Sequence, residues 1–436
     1  MSTVLWFRRD LRTADLPALV DAADGDGDVL ACYVLDPQLK ASSGPRRLQF
    51  LYDSLRELND ALDGRLFVTR GKAETRIPAL AKAVGATAVH VSEDFSPFGR
   101  RRDEAVREAL GETPLTATGS AYLVSPGRVA KDDGTPYKVF TPYYRRWQDQ
   151  GWRGPAKSAP DTARWIAPKD VTAAGGGAEM DIPDPGTELS IPAGEAEANR
   201  RWQTFVEQNL DGYADDRDRP DLDLTSRMSA YLHFGNIHPR TLAQDLTSRA
   251  AGPAAYLREL AFRDFYATVL AEWPRSSWWN WNTAFDKIRV DDDNDAQHLF
   301  TAWKEGRTGF PIVDAGMRQL RETGFMHNRL RMVTASFLVK DLHLPWQWGA
   351  RWFLEQLQDG DIASNNHGWQ WAAGCGTDAA PYFRVFNPDT QAKKFDPSGE
   401  YVRRWVGELG TPDYPEPVVD HRSEREEALR RYGEIG

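Results

Sequence analysis

Residues 359–371 hold the densest set of side chains that could do chemistry. They include two aspartates, two asparagines, one histidine and two tryptophans. Buried polar groups need hydrogen-bond partners, so a purely structural role for all of these residues is strained. A metal site is conceivable, but no second His/Asp/Glu cluster has the spacing of a ligand set. The segment is therefore a candidate binding site.

Two other motifs place polar groups within or beside helical patterns. Residues 225–229 put hydroxyls and a guanidinium just before a helical pattern, which suits a diphosphate but also an ordinary helix N-cap. Glu259 and Arg263 are four positions apart and share a helix face, with Phe262 nearby. The simpler explanation is a surface ion pair, but the flanking apolar residues argue against full exposure.

Asn328 and Met332 are also four positions apart at the start of a helical pattern. The asparagine offers donors and an acceptor, and the methionine offers a polarizable surface. Taken alone, such a pair is more often helix capping plus core packing. The chain also has 16 tryptophans, ten of them within residues 273–371. Composition favours a well-packed helical core for these, over a site for a flat-ring ligand or an electron path.

The elements that must position these groups fall into two regions. The first alternates β-rich apolar runs with helical spacing, which predicts a doubly wound parallel α/β sheet. The strands are predicted at residues 4–7, 29–35, 66–69 and 88–91, with helices at 16–23, 47–62, 75–84 and 101–110. No G-x-G-x-x-G or P-loop follows the first strand, so the usual phosphate cradle is missing.

The second region is helical throughout. Helices are predicted at residues 199–209, 239–248, 254–272, 296–305, 312–322, 328–340 and 348–359. The predicted organisation is an α/β domain (1–150), a Gly/Pro-rich linker (151–198), a helical domain (199–405) and a C-terminal tail (406–436), which is either a short helix or solvated.

Composition narrows the class of protein. A net charge of −10 argues against non-specific coating of nucleic acid or membrane, although a local basic groove stays possible. Two cysteines rule out a disulfide framework. No apolar run approaches the ~18 residues of a membrane span, and no signal peptide is evident, so the cytoplasm is the expected location.

Four stretches together resemble the DNA photolyase/cryptochrome family, in its class I branch for cyclobutane pyrimidine dimers. They are LWFRRDLR at residues 5–12, GRTGFPIVDA at residues 306–315, the helix that begins at Asn328, and WQW at residues 369–371. The resemblance runs from residue 5 to about residue 405. It implies an N-terminal antenna domain and a C-terminal helical domain that holds FAD.

The resemblance also assigns site residues. It implies that FAD is bound by Tyr213, Thr225, Ser226, Arg227, Met228, Ser229, Arg263, Arg331, Asp359, Gly360, Asp361 and Asn365. It implies that a flipped-out dimer lies against Glu259, Phe262, Asn328, Met332 and Trp371, and that DNA is contacted by Arg329, Arg384, Gln391 and Lys394. Arg331 is a candidate ion-pair partner of the two aspartates.

The implied mechanism is light-driven electron transfer from reduced FAD to the dimer. Three features depart from the family pattern: Phe262 and Tyr256 replace tryptophans, and Asp293 falls where the outer tryptophan of a photoreduction relay is expected. The inner relay members match Trp369 and Trp346. With Asp293 in the outer position, photoreduction should be inefficient unless Trp348, Trp352 or Trp281 substitutes.

A second chromophore is expected in the first domain. The Asn-Glu pair of folate-binding members would fall at Phe98 and Gly99, so the folate anchor is missing. PFGRRRD at residues 97–103 instead resembles deazaflavin-binding members, in which positions matching Arg47 and Asp94 supply polar contacts. This favours 8-hydroxy-5-deazaflavin over methenyltetrahydrofolate, with Gly99 leaving room for a flat ring and Phe98 packing on it.

Three functions compete on this basis. The favoured one is a light-dependent dimer photolyase that acts on damaged DNA as a monomer. A cryptochrome-like FAD photoreceptor is the alternative that Phe262 and Asp293 keep open. A nucleotide-binding α/β protein with a helical partner-binding domain would explain the first domain, but not the clusters around Asn328 and Trp369.

Overall fold

The computed structural model describes residues 2–379, 381 and 384–435. A parallel sheet forms the N-terminal half, with strand order β3-β2-β1-β4-β5, and a two-residue strand from the linker pairs with β2. The strands are β1 (Ser2–Phe7), β2 (Asp28–Leu35), β3 (Phe67–Arg70), β4 (Ala86–Glu93), β5 (Leu115–Ser120) and β6 (Arg164–Trp165). The predicted parallel α/β sheet is confirmed.

Helices on both faces of the sheet explain why its central strands are continuously apolar. In this half they are α1 (Pro17–Ala22), α2 (Pro37–Ala41), α3 (Pro45–Ala61), α4 (Ala73–Ala83), α5 (Pro97–Leu110), α6 (Phe140–Gln150) and α7 (Pro168–Ala173). Helix α3 illustrates how the sequence specifies a helix here. Pro45 occupies its first position, and Phe50, Leu55 and Leu58 form one buried face.

The second half is entirely helical across its described residues. Its helices are α8 (Glu195–Gln208), α9 (Tyr213–Asp216), α10 (Ser229–Phe234), α11 (Pro239–Ala243), α12 (Ala251–Glu272), α13 (Asn294–Glu305), α14 (Pro311–Thr323), α15 (Asn328–Lys340), α16 (Trp346–Gln356), α17 (Ile362–Ala373), α18 (Pro388–Phe395), α19 (Glu400–Trp405) and α20 (His421–Gly433). The predicted helical domain is confirmed as a fold class.

The linker and the C-terminal segment both pack against the body of the protein. Val171 of α7 is fully buried, and β6 extends the sheet edge beside β2. At the other end, α20 is anchored where Arg431 pairs with Asp291 at 2.9 Å and the Tyr432 hydroxyl donates to the Ala373 carbonyl. Of the two states that the sequence allowed for the C-terminal segment, the structure shows the helix.

One hydrophobic cluster runs through both halves of the molecule. It joins Phe7 of β1 and Phe50 of α3 to Ile191 of the linker, Trp202 of α8 and Phe265 of α12. A second cluster fills the space among α13, α14, α15, α16 and α17. Both cysteines are buried and unpaired. Among the described helices, none is long and apolar enough to cross a membrane.

Candidate active site

A cavity of about 560 Å³ lies within the helical half. Six helices contribute to its wall: α9, α10, α12, α15, α16 and α17. The predicted site residues on this wall are Tyr213, Thr225, Ser226, Arg227, Met228, Ser229, Glu259, Phe262, Arg263, Asn328, Arg329, Arg331, Met332, Asp359, Asp361, Asn365, Trp369 and Trp371. The structure therefore brings together side chains spread over 159 positions of sequence, from 213 to 371.

Helix α17 carries the chemistry-rich segment into the wall. Asp361 caps its N-terminus by accepting from the Ser364 amide at 3.0 Å. Asn365 donates its amide hydrogens to the Ala350 carbonyl at 3.1 Å and to Asn366 Oδ1 at 2.8 Å. Its carbonyl oxygen accepts no hydrogen bond from the described residues, so an acceptor is left at the cavity wall.

The aspartates of this segment are held as anions by arginines from other elements. Arg331 of α15 donates to Asp359 at 3.0 Å, which is the ion pair expected from the sequence. Burial raises the pKa of Asp359, but Arg331, Ser229 and His233 together outweigh it, so the pKa lies below its ordinary value. Arg9, which follows β1, donates to Asp361 at 2.8 Å. Burial raises the pKa of Asp361, but Arg9, His233 and the Ser364 amide together hold it well below its ordinary value.

The hydroxyl-rich turn before α10 forms another part of the wall. Ser226 Oγ shares a hydrogen bond of 2.8 Å with the Tyr256 hydroxyl, whereas the buried Thr225 Oγ1 has no partner among the described residues. Arg227 pairs with Asp223 at 2.6 Å in a backbone conformation with φ of 53°. The turn thus offers one free hydroxyl, and its guanidinium is already engaged.

The residues expected at a lesion lie on α12, α15 and α17. Glu259 accepts from Arg217 at 2.7 Å. Phe262 stacks on Phe140 with ring centroids 3.4 Å apart and lines the cavity. Asn328, Met332 and Trp371 complete this set on the same wall.

Two arginines of the wall are tied to the protein itself. Arg263 donates to the carbonyls of Ala121 at 2.6 Å and Leu232 at 3.0 Å, joining the two halves. Arg329, expected at DNA, pairs with Asp218 at 2.6 Å. These contacts hold both guanidinium groups in place beside the cavity.

Other predicted residues lie away from the cavity wall. Trp346 is buried and donates from Nε1 to Asn280 at 2.9 Å. Arg384 and Lys394 are exposed and Gln391 is half-buried, on α18 and the segment that precedes it.

Arg47 of α3 contacts Gly360, the residue between the two aspartates of the 359–361 segment. Arg47 Nη1 donates to the Gly360 carbonyl at 3.1 Å, and a Cβ on Gly360 would stand 2.3 Å from that same nitrogen. Burial lowers the pKa of Arg47 to about 10, against the opposing effect of Asp359 and Asp361. Arg47, expected at the antenna, therefore contacts the segment that bears the two aspartates, and Gly360 is the residue that admits it.

The remaining antenna residues form a charged cluster at the carboxyl edge of the sheet. Asp94 pairs with Arg102 at 3.2 Å, and Arg102 lies 5.7 Å from the ring centroid of Phe98. Burial raises the pKa of Asp94, but Arg102 and its neighbours lower it to about 2. The room expected beside Gly99 for a flat ring is absent, because a Cβ there would stand 2.1 Å from the Asp94 carboxyl carbon. A small pocket of about 20 Å³ lies on the other side of Asp94, between Arg8, Arg9 and Tyr122.

Sequence reasoning missed three residues that shape the cavity. Arg9 and His233 flank Asp361, and Arg217 holds Glu259. Burial lowers the pKa of His233 to about 4, with Arg9 acting in the same direction. One signal was available for Arg9: it follows the first strand of a parallel sheet, and ligands collect at that edge. Nothing in the described chain groups three or more potential metal ligands.

Comparisons with known proteins agree over both halves of the chain. A family model described as DNA photolyase matches residues 3–162, and one described as the FAD binding domain of DNA photolyase matches residues 256–412. The deoxyribodipyrimidine photo-lyase of Halobacterium salinarum is 36% identical, over 98% of this chain and 98% of that protein. That of Alkalihalophilus pseudofirmus is 38% identical, over 98% and 96%.

Solved structures show the same similarity. A class III photolyase from Agrobacterium tumefaciens has a TM-score of 0.88 at 33% identity, covering 100% of this chain and 97% of that one. An archaeal photolyase from Sulfolobus tokodaii, described with two FAD molecules, has a TM-score of 0.83 at 29% identity, with 100% of both chains covered. A cryptochrome from Synechocystis has a TM-score of 0.87 at 26% identity, with 98% of both covered.

Proposed function

This chain belongs to the DNA photolyase family, and from that membership we propose that it splits cyclobutane pyrimidine dimers in DNA under light, with FAD as its cofactor. The observation that carries the proposal is one cavity of about 560 Å³, walled both by the residues expected to bind FAD and by those expected to bind the lesion. A cofactor and a base held in one cavity can exchange an electron directly.

The chemistry of the wall fits FAD. The volume lies within the ~300–1,000 Å³ of ligand sites. The buried Thr225 hydroxyl lacks a partner among the described residues, and a diphosphate or ribityl chain would supply one. Arg9, Arg263 and Arg331 bring positive charge to the same wall. Asn365 offers its carbonyl oxygen to the N5–H of a reduced flavin.

The residues of the chain bind and orient, while the cofactor carries the redox chemistry. When bound, FAD supplies the electron that splits the dimer under light. Asn328 and Glu259 offer hydrogen bonds to the carbonyl and imide groups of a flipped-out pyrimidine. Met332, Trp371 and Phe262 present apolar and aromatic surfaces to its rings.

The same residues favour dimers over six-four photoproducts. Repair of the latter needs a proton donor, and family members that perform it carry two histidines near the positions of Asn328 and Met332. We therefore propose a dimer photolyase, and the motifs that resemble the class I branch support that class. The likeness to a class III structure supports the shared fold.

Loss of thymine dimers from irradiated DNA, measured in blue light and in darkness with FAD-loaded protein, tests the proposal. We expect loss in light only, and Asn328→Ala should slow it at unchanged FAD content. Tight FAD binding with no loss of dimers in light would instead establish the cryptochrome-like photoreceptor, the candidate favoured by Phe262, Asp293 and the likeness to the Synechocystis cryptochrome.

For the second chromophore we propose 8-hydroxy-5-deazaflavin, bound against Phe98 at the carboxyl edge of the sheet. The missing folate anchor and the PFGRRRD motif support it. The residues as placed leave no room for its ring, since the Asp94 carboxyl fills the space beside Gly99 and Arg102 lies over Phe98. Binding therefore requires Arg102 to leave the face of Phe98.

Gel filtration after mixing the protein separately with the deazaflavin, methenyltetrahydrofolate and FAD in excess of one equivalent decides among chromophores. We expect retention of the deazaflavin, weakened by Phe98→Ala. Retention of the folate with loss of the deazaflavin would reject the proposal. A second bound FAD would too, as described for the Sulfolobus tokodaii protein.

We further propose that the protein acts as a monomer in the cytoplasm. Its two cysteines stay unpaired, as is usual in a reducing compartment. Its exposed large apolar side chains are scattered over the described surface, with Trp279 the most exposed at 56%. Sedimentation at micromolar concentration checks the oligomeric state, and fractionation of the producing cell checks the location.

A further inference from the structure

A connected series of aromatic rings leads away from Trp369 on the cavity wall. Trp369 lies 5.0 Å from Phe353 and 6.0 Å from Trp303, measured between ring centroids. Gly349 makes room for this ring, since a Cβ there would stand 2.1 Å from Trp369. The indole at the cavity is thus fixed against a second, fully buried indole, Trp303.

The series continues from Trp303 to the protein surface. Phe300, one helical turn before Trp303 on α13, stacks on it at 5.8 Å with 16° between the ring planes. Phe300 in turn lies 5.3 Å from Trp348 of α16, which is half-buried. Every step between neighbouring rings is therefore 6.0 Å or less.

The electron route that the sequence predicts, from Trp369 to Trp346, is not continued by further aromatic rings among the described side chains. In the described part of the chain, Trp346 makes no ring contact with Trp369 or with any other aromatic side chain. The outer position, Asp293, is an ordinary helix cap whose carboxylate accepts from the Ala296 amide at 2.9 Å. An electron arriving from the surface would have to cross that gap without an aromatic group.

Fixed charges distinguish Trp348 from three other partly exposed tryptophans of the helical half. An indole that loses an electron becomes a cation, so a nearby positive charge opposes its oxidation. Lys304 lies 5.2 Å from the ring of Trp352, Lys138 lies 5.6 Å from that of Trp281, and Arg351 lies 5.2 Å from that of Trp278. Among the described side chains, no cation lies over Trp303, Trp348 or Trp369. Lys304 also lies over Phe300, but that ring bridges two indoles and holds no charge itself.

We propose that electrons reach the cavity from Trp348 through Phe300, Trp303 and Trp369. This inference rests on the proposed function, since the acceptor is light-excited oxidised FAD in the cavity. One electron leaves Trp369 and is replaced from Trp303, which is in turn refilled from Trp348. The Trp348 radical cation loses its indole N–H proton to water. An external thiol then returns one hydrogen atom, so the thiol is oxidised and the indole is restored.

The test compares Trp348→Phe with Trp352→Phe in the FAD-loaded protein. The two tryptophans are four positions apart on α16 and are both half-buried, so they are matched in site and exposure. Flavin absorbance under anaerobic blue light with a thiol gives the photoreduction rate. We expect Trp348→Phe to slow it at least tenfold and Trp352→Phe to change it less than twofold.

A second measurement locates the oxidised residue without relying on the flavin signal. After illumination in air without thiol, peptide mass spectrometry should find oxygen added at Trp348 and not at Trp352. A wild-type photoreduction rate in Trp348→Phe, together with a loss of that rate in Trp346→Phe, would overturn the proposal.

Repair with chemically reduced FAD separates this inference from the function on which it rests. Trp348→Phe should repair dimers at the wild-type rate under those conditions, because reduction is then no longer needed. If the wild-type protein photoreduces FAD through Trp348 but repairs no dimers, the route stands and the proposed function fails. If it repairs dimers and Trp348 is dispensable for photoreduction, the function stands and the route fails.

Discussion

Arg217 and Arg9 determine how the acidic side chains of the cavity can act. Arg217 binds Oε1 of Glu259 at 2.7 Å, so a bound pyrimidine must share this carboxylate or take its second oxygen. Arg9 holds Asp361 from the other half of the protein. Neither carboxylate is thus a free anion, and both are oriented before a ligand arrives.

Phe262 is the residue at which a single change should strengthen lesion binding. Its ring packs on Phe140 and lines the cavity in which a base would lie. Phe262→Trp enlarges the stacking surface and should tighten binding to dimer-containing DNA by ~1 kcal/mol, the low end for base–aromatic stacking. Phe262→Leu, which removes the ring, should weaken it. Fluorescence titration of a labelled duplex measures both, and weaker binding by a folded Phe262→Trp would contradict this placement.

Gly349 should be far less tolerant of a methyl group than Gly368. The two glycines lie inside the adjacent helices α16 and α17, but a Cβ would meet Trp369 at 2.1 Å in the first case and no protein atom within 4 Å in the second. Gly349→Ala should destabilise the protein by ~1–3 kcal/mol through overpacking. Gly368→Ala should not, because alanine favours a helix. Thermal unfolding of the cofactor-free proteins compares them, and equal losses would contradict the packing.

At the scale of elements, a helix or strand could be predicted from the sequence where its buried residues form a regular apolar pattern. Helix α15 has the bounds that the sequence predicts, residues 328–340. Helix α17 was not predicted, because it buries Ala363, His367, Trp369 and Gln370 around its whole circumference and so lacks an apolar stripe. The strand β5 was missed because its sequence, LTATGS, is mostly small and polar.

The same limit applies to contacts between elements. The residues of the FAD and lesion sets were chosen by their motifs, and those on the cavity wall come from five helices and from the segments that precede α10 and α17. Spacing in sequence could not show that Arg47 reaches Gly360, 313 positions away. It also could not show that Asp94 occupies the space beside Gly99, since this depends on how a strand end meets a helix start.

The segment between α16 and α17 is held by arginines from three elements, and this should appear in its pH dependence. Because the pKa of Asp361 is lowered on folding, its contribution to stability is complete above about pH 4 and is lost as the pH falls below that value. Asp361→Asn leaves Arg9 without its partner and should cost about 3 kcal/mol near pH 7. Urea unfolding at pH 7 and pH 3 should show this deficit shrinking in acid; a constant deficit would exclude the ion pair as its cause.

At the scale of the whole molecule, a chain of net charge −10 must bind a polyanion through a local surface. The exposed Arg384 and Lys394 belong to that surface if it surrounds the cavity. Lys394→Gln should reduce the slope of log affinity against log salt by about 1, the loss of one phosphate contact. Lys72→Gln, in the α/β domain and 76% exposed, should leave the slope unchanged. An unaltered slope in Lys394→Gln would place the DNA elsewhere.

The two halves should unfold together, because their contacts are those of a single core. Phe7 and Phe50 of the α/β half pack in one cluster with Tyr231 and Phe265 of the helical half. Arg240 of α11 also pairs with Asp15 at 2.8 Å, with both side chains at most 5% exposed. Loss of the sheet therefore removes one wall of the helical core and leaves Arg240 as an unpaired buried charge, which is strongly destabilising. Thermal unfolding followed by far-ultraviolet circular dichroism and by release of FAD should give one coincident transition. Release of FAD in a transition separate from the loss of circular dichroism would show that the halves are independently stable.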